Sequence, residues 1–251
     1  AMGLEAYALM TPLETDGAWG VASLGRLAEG PEAPYAWVLP GSGADAMRGL
    51  ASLLKDGVTV RRADTGFVID GQVFAAGDLV VTRRNNEGVT DLRGAMERAS
   101  RAAGAAAVAV SSGRVTEGYD FGSSHYAAIQ APRVATVVGP GVSSLSAGEI
   151  WYHFETALDY PLSRVGALDE LDLDNLDVVV LPSGWYRMGE DDRNAMADWV
   201  RGGGQLVAVG GACSAFAGQD GWGLQRYNDG ERTAIEAEED RVQEAADERN
   251  A

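Results

Sequence analysis

Between residues 35 and 110, short apolar runs alternate with segments of helical period. Residues 35–39 form a continuous apolar run closed by Pro40-Gly41-Ser42-Gly43, which predicts a strand and a turn. Residues 44–55 place Met47, Leu50, Ala51 and Leu54 three and four apart, the pattern of a helix with one apolar face. Gly57 is positioned to end it. Residues 58–62 read as a strand. Asp70-Gly71 in the middle of 67–74 predicts a hairpin. A strand over 79–82, a helix over 89–103 with Leu92, Met96 and Ala99 on one face, and a buried strand over 106–110 follow. The segment 113–130, rich in Gly, Ser and Tyr, reads as a connector. Upstream, residues 6–10 suit a short strand, and Asp16-Gly17 and Gly30-Pro31 are turn signals.

The pattern sharpens after Ala131-Pro132, where a domain boundary is expected. Residues 134–138 are an uninterrupted apolar strand, turned by Gly139-Pro140-Gly141. Ser146-Ala147-Gly148-Glu149 has the form of a capping box, with Ser146 capping a helix and Glu149 reaching back. That helix runs through Trp151, Phe154, Glu155 and Leu158, and Asp159-Tyr160-Pro161 ends it. Strands follow over 162–165 and 177–181. A helix over 190–201 turns Ala195, Met196 and Trp199 inward, Gly202-Gly203-Gly204 stops it, and 205–209 is a last strand. Apolar strands without alternation, separated by helices, predict a parallel sheet covered on both faces. The fold expected is therefore α/β in two units: 1–131, with an irregular start, and 132–228, a flavodoxin-like parallel sheet. Residues 229–251 hold nine acidic residues against three arginines, with Ile235, Val242 and Ala246 as a thin apolar stripe, and read as an acidic surface helix.

Composition changes this picture in three places. The 251 residues include 37 acidic and 20 basic ones, a net charge of −17, which disfavours nucleic acid and anionic membrane surfaces as partners. Lys55 is the only lysine. Acid excess with almost no lysine resembles salt adaptation, because salt screens carboxylate repulsion; a GC-rich genome that favours arginine codons gives the same bias. No apolar stretch approaches the ~20 residues that span a bilayer. Ala1-Met2-Gly3-Leu4 lacks the charged and apolar regions of a signal peptide, and Ala1 before Met2 reads like a tag scar on a piece of a longer protein.

Candidate chemistry is sparse. One cysteine, Cys213, and two histidines, His125 and His153, exclude a disulfide framework and a cysteine-based zinc cluster, and no H-E-x-x-H pattern is present. Cys213 lies in Gly211-Ala212-Cys213-Ser214-Ala215, near the form of a nucleophile elbow, but four residues past the strand and with no histidine downstream to serve as base. Its alternative is a small buried apolar residue. The turn at Gly139 precedes a helix N-terminus, where Gly141, Ser143, Ser144 and Glu149 are candidates for holding a small polar ligand; a plain tight turn is the alternative. The acidic runs Glu190-Asp191-Asp192 and 169–177 suit helix starts and solvated loops rather than acid–base catalysis.

Several of these segments, taken together, resemble one family. Pro132-Arg133-Val134-Ala135, Gly139-x-Gly141-Val142-Ser143-Ser144, Gly148-Glu149-Ile150-Trp151 and Tyr160-Pro161 are similar to the C-terminal part of large bacterial zinc carboxypeptidases. So are Pro182-Ser183-Gly184 after its strand, Trp199-Val200, and the run from Gly203-Gly204 to Gly210-Gly211. Members of that family carry a class I glutamine amidotransferase-like domain after the peptidase domain. The resemblance covers most of residues 30–220. It implies that zinc, the metal ligands and the catalytic glutamate belong to the parent's peptidase domain, with no matching position here. It also implies that the elbow position falls on Gly210 or Gly211, so that the nucleophile is lost. By the same resemblance the chain is a non-catalytic accessory region, its partner is the peptidase domain of the same polypeptide, and the parent is secreted or periplasmic. The competing readings are a cysteine hydrolase or amidotransferase-like enzyme using Cys213, and a small-ligand binding module.

Overall fold

Short strands buried on both faces need no polar alternation, and such strands form the centre of two sheets here, residues 36–39 and 79–82 in one and 134–137 and 178–181 in the other. A computed structural model describes residues 33–226, together with Leu27 and Pro31. The strand expected at 6–10, the turns at Asp16-Gly17 and Gly30, and the helix expected at 229–251 lie outside the described residues. The chain divides into two compact units, one of residues 1–49 and 62–127, the other of 50–61 and 128–251.

The elements of the first stretch are β1 (Ala36–Leu39), α1 (Ala44–Lys55), β2 (Val60–Ala63), β3 (Phe67–Ile69), β4 (Gln72–Phe74), β5 (Leu79–Thr82), α2 (Leu92–Ala102), β6 (Val108–Val110) and β7 (Tyr126–Ile129). The sheet order is β6-β1-β5-β2-β7. It is antiparallel around β1: Val38 faces Val80 of β5 on one side and Val108 of β6 on the other. The hairpin β3–β4 forms as expected, with Asp70 and Gly71 both at positive φ, 49° and 76°. That is the geometry an Asp-Gly turn favours between right-twisted strands. Ala36, Val38, Val80 and Val110 of the sheet pack against Phe67, Ile69, Phe121 and Tyr126.

Two expectations in this stretch are corrected. Segment 113–130 is not only a connector, because it contains β7. Phe121 and Tyr126 are buried in the core, and the Tyr126 hydroxyl donates to the Tyr119 carbonyl at 2.8 Å. Glycine and serine around them hid two anchoring rings. The inward residues of α1 are Ala46, Ala51 and Leu53, whereas Met47 is exposed.

The second unit contains β8 (Val134–Val137), α3 (Ser144–Tyr152, continued by a π-helical turn His153–Leu158), β9 (Ser163–Val165), β10 (Val178–Leu181), α4 (Glu190–Arg201) and β11 (Gln205–Ala208). All four strands are parallel, in the order β11-β10-β8-β9. Numbered within this unit, the order is 2-1-3-4. Val137, Val179, Leu181, Met196, Ala212 and Phe216 form the core on one face. Asp159, at φ 51°, ends the helix before Pro161.

The cap of α3 also differs from expectation. Ser143 is the N-cap, and its hydroxyl accepts the Ser146 N–H at 3.4 Å. Ser146 is buried, and its own hydroxyl accepts the Ser183 N–H at 2.9 Å, so it ties helix to loop and does not cap. Ala195 is exposed on α4, where Met196 and Ala197 are the buried pair.

Candidate functional site

In an open parallel sheet the loops at the carboxyl ends of the strands converge where the strand order reverses. Here that place lies between β8 and β10, and the loops after β8, β10 and β11 meet there. They are laced together by main chain. Val142 bridges Gly184. Trp185 N–H donates to the Gly141 carbonyl at 2.9 Å, and Ser143 N–H donates to the Ser183 carbonyl at 2.8 Å. Gly141 sits at φ +88°, and a Cβ there would lie 2.8 Å from the Trp185 carbonyl oxygen. Glycine is required by both the conformation and the close approach.

The turn that sequence reasoning offered as a ligand cradle is thus engaged with its neighbour loop. Gly141 and Ser143 belong to this lacing, while Ser144 and Glu149 are exposed on the first turns of α3.

Cys213 lies in a 3₁₀ turn, Gly210–Ala215, beyond the end of β11. Its thiol is partly buried and donates to the Ala208 carbonyl at 3.4 Å. His153 is in the π-helical turn after α3, and His125 stacks on Tyr119 with ring centroids 3.6 Å apart. Among the described residues no imidazole hydrogen-bonds to the thiol. The sharp position at the end of β11 is instead Gly210, at φ +55°. A Cβ on it would point at the Ser183 hydroxyl, 2.9 Å away, and the next amide, Gly211 N–H, donates to that same hydroxyl at 3.1 Å. In an elbow, the amide after the nucleophile serves the oxyanion. Here that donor is already occupied by a serine of the same chain.

Next to this turn, beyond the ends of β10 and β11, is an open cavity of about 950 Å³. Its wall includes Trp185, Tyr186, Arg187, Arg193, Cys213 and Arg226. The Tyr186 hydroxyl donates to the Pro182 carbonyl at 2.8 Å, and burial pushes its pKa up to about 12. Sequence reasoning missed the three arginines. The signal available was Arg187, two residues past an exposed tryptophan in the turn that closes an apolar strand.

The opposite, amino-terminal end of the sheet carries a different feature. Arg133, just before β8, donates through Nε and one terminal nitrogen to the two carboxylate oxygens of Asp177, just before β10, at 3.0 and 3.1 Å. Its backbone N–H adds a third bond at 2.7 Å. These bonds hold the Asp177 carboxyl down at about 2. Of the acidic stretch 169–177, this residue is a clamp between strands. Any stability it supplies is present above pH ~4 and is lost as pH falls through about 2. Among the described residues no group of three or more His, Cys, Asp or Glu side chains could hold a metal ion, and no helix is long and apolar enough to cross a membrane. No family model, no curated protein and no solved structure matches the chain.

Proposed function

We infer that this chain is a non-catalytic accessory region of a larger zinc carboxypeptidase, and that its second unit is a flavodoxin-like domain similar to class I glutamine amidotransferases. The observation that carries this reading is Gly210. The elbow backbone is kept at φ +55°, the side chain that would attack is absent, and the following amide is filled by Ser183. Nucleophilic catalysis needs an activated side chain and a base beside it, and this elbow offers neither. The strand order 2-1-3-4 supports the flavodoxin-like assignment, since it matches the first four positions of that sheet.

Leu145 and Tyr152, two turns apart on α3, are 80% and 65% exposed. On this reading the peptidase domain would pack over this face of α3. Zinc belongs to the peptidase domain on this reading.

The size of the native polypeptide tests the reading. An antibody against this chain, blotted on extract of the source cells, is expected to reveal a band far above 26.3 kDa. A native protein of that mass, with an N-terminus that shows no processing, overturns the accessory role.

A further inference from the structure

The cavity beyond β10 and β11 has a wall of one sign. Arg187, Arg193 and Arg226 line it, and no Asp or Glu does among the described residues. The chain as a whole has 37 acidic residues against 20 basic ones, so this local reversal is not a property of the average surface. Arg193 donates to the Met188 carbonyl at 2.7 Å, and Arg226 donates through Nε to the Ala217 carbonyl at 2.8 Å. Both guanidinium groups are positioned by neutral carbonyls and keep donors for another acceptor. Among the described residues none of the three arginines is ion-paired. A guanidinium fork matches an oxyanion bidentately, most directly a carboxylate or a phosphate.

Two further features choose between those anions. The first turn of α4 holds Glu190, Asp191 and Asp192, and Asp192 accepts the Gly189 N–H at 3.0 Å. Negative charge thus already sits at the helix terminus that would otherwise attract a phosphate. With that terminus occupied, the arginines are left as the anion-binding groups of the cavity. Trp185 is 77% exposed at the cavity, two residues from Arg187, and Met188 and Leu224 add apolar wall. An exposed indole in the same cavity wall as a cation is a platform for a flat apolar group with a charged end.

We propose that this cavity binds a small aromatic carboxylate, its ring on Trp185 and its carboxylate held by Arg187 together with Arg193 and Arg226. The proposal concerns the second unit alone and does not rest on the accessory reading.

The test uses the full chain at low ionic strength, titrated with hippurate, with the neutral amide of hippurate, and with inorganic phosphate. Tryptophan fluorescence and calorimetry are the readouts. Hippurate is expected to saturate with a Kd of about 1 mM or below. The amide and phosphate are expected to bind at least about tenfold more weakly. Arg187→Gln and Trp185→Ala, both at exposed positions, should each weaken hippurate about tenfold while thermal unfolding stays unchanged. Should either variant unfold early, Arg187→Lys keeps the charge, removes the planar fork and is expected to lose affinity in the same direction. Absence of saturation, equal binding of the amide, phosphate binding as tight as hippurate, or full hippurate affinity in a folded variant at either position each overturns the proposal.

Discussion

At Gly210 the backbone is left-handed, and a Cβ would press on the Ser183 hydroxyl at 2.9 Å. An L-residue in that conformation costs roughly 1–2 kcal/mol before any clash. Gly210→Ala is therefore expected to lower stability by about 1–3 kcal/mol in urea denaturation. Measured in a Ser183→Ala background, which already lacks the hydroxyl that accepts the Gly211 N–H, Gly210→Ala should cost less than in the native chain, by the part of the loss due to the clash with that hydroxyl. A neutral Gly210→Ala would mean that the elbow is not held as described. The same residue scale shows where sequence patterns stop informing. Ser143 and Ser146 are both serines at the start of one helix, and local chemistry allows either to cap it. The choice falls to Ser143 because the Ser183 N–H, 37 residues away, takes the Ser146 hydroxyl. Cys213 in Gly211-Ala212-Cys213-Ser214-Ala215 stands only near the form of an elbow, and the sharp turn sits three residues earlier, at Gly210.

Among the elements, α1 was readable in its bounds and not in its orientation. Residues 44–55 form the expected helix, since period and the Gly57 stop are local signals. Met47 and Leu54, expected inside, are respectively exposed and half-buried, whereas Leu53 is fully buried. Apolar residues here span more than half the circumference, so period alone leaves the inward direction open. Leu53→Ala is expected to cost about 2–5 kcal/mol, and Met47→Ala within about 0.5 kcal/mol; comparison of the two thermal melts checks this directly. Equal effects would put the buried face elsewhere. Strand β7 escaped notice for a related reason. Its flanks are Gly- and Ser-rich, and what makes it a strand is the burial of Tyr126 beside Phe67 and Phe121, with rings 5.7 and 5.2 Å away.

Taken as a whole molecule, the chain carries −17 charges. Self-repulsion of a surface so acidic opposes the compact state and is screened by salt. Raising the salt from about 0.1 M to about 1 M shortens the screening length from roughly 10 Å to roughly 3 Å. The melting temperature is expected to rise across that range, which differential scanning fluorimetry would detect; a constant or falling value would show that the acidic residues are not a net burden on the fold. The antiparallel sheet around β1 and the parallel sheet around β8 also belong to this scale. At the centre of each lie four-residue apolar strands, β1 and β5 in one and β8 and β10 in the other, and their own composition does not distinguish the two. The cavity of the second unit also depends on distant residues, because Arg187 and Arg226 lie 39 residues apart in the chain and both line it. Sequence alone determined the length and limits of most helices and strands, the Asp-Gly hairpin, the glycine stops and the acidic balance, because each depends on residues a few positions apart. The parallel direction of the second sheet was legible too, from apolar strands separated by helices. Tertiary structure decided strand order, the antiparallel pairing around β1, which serine caps α3, which face of α1 is buried, and the gathering of three arginines around one cavity. Those outcomes are set by contacts between residues far apart in the chain, and no local period encodes them.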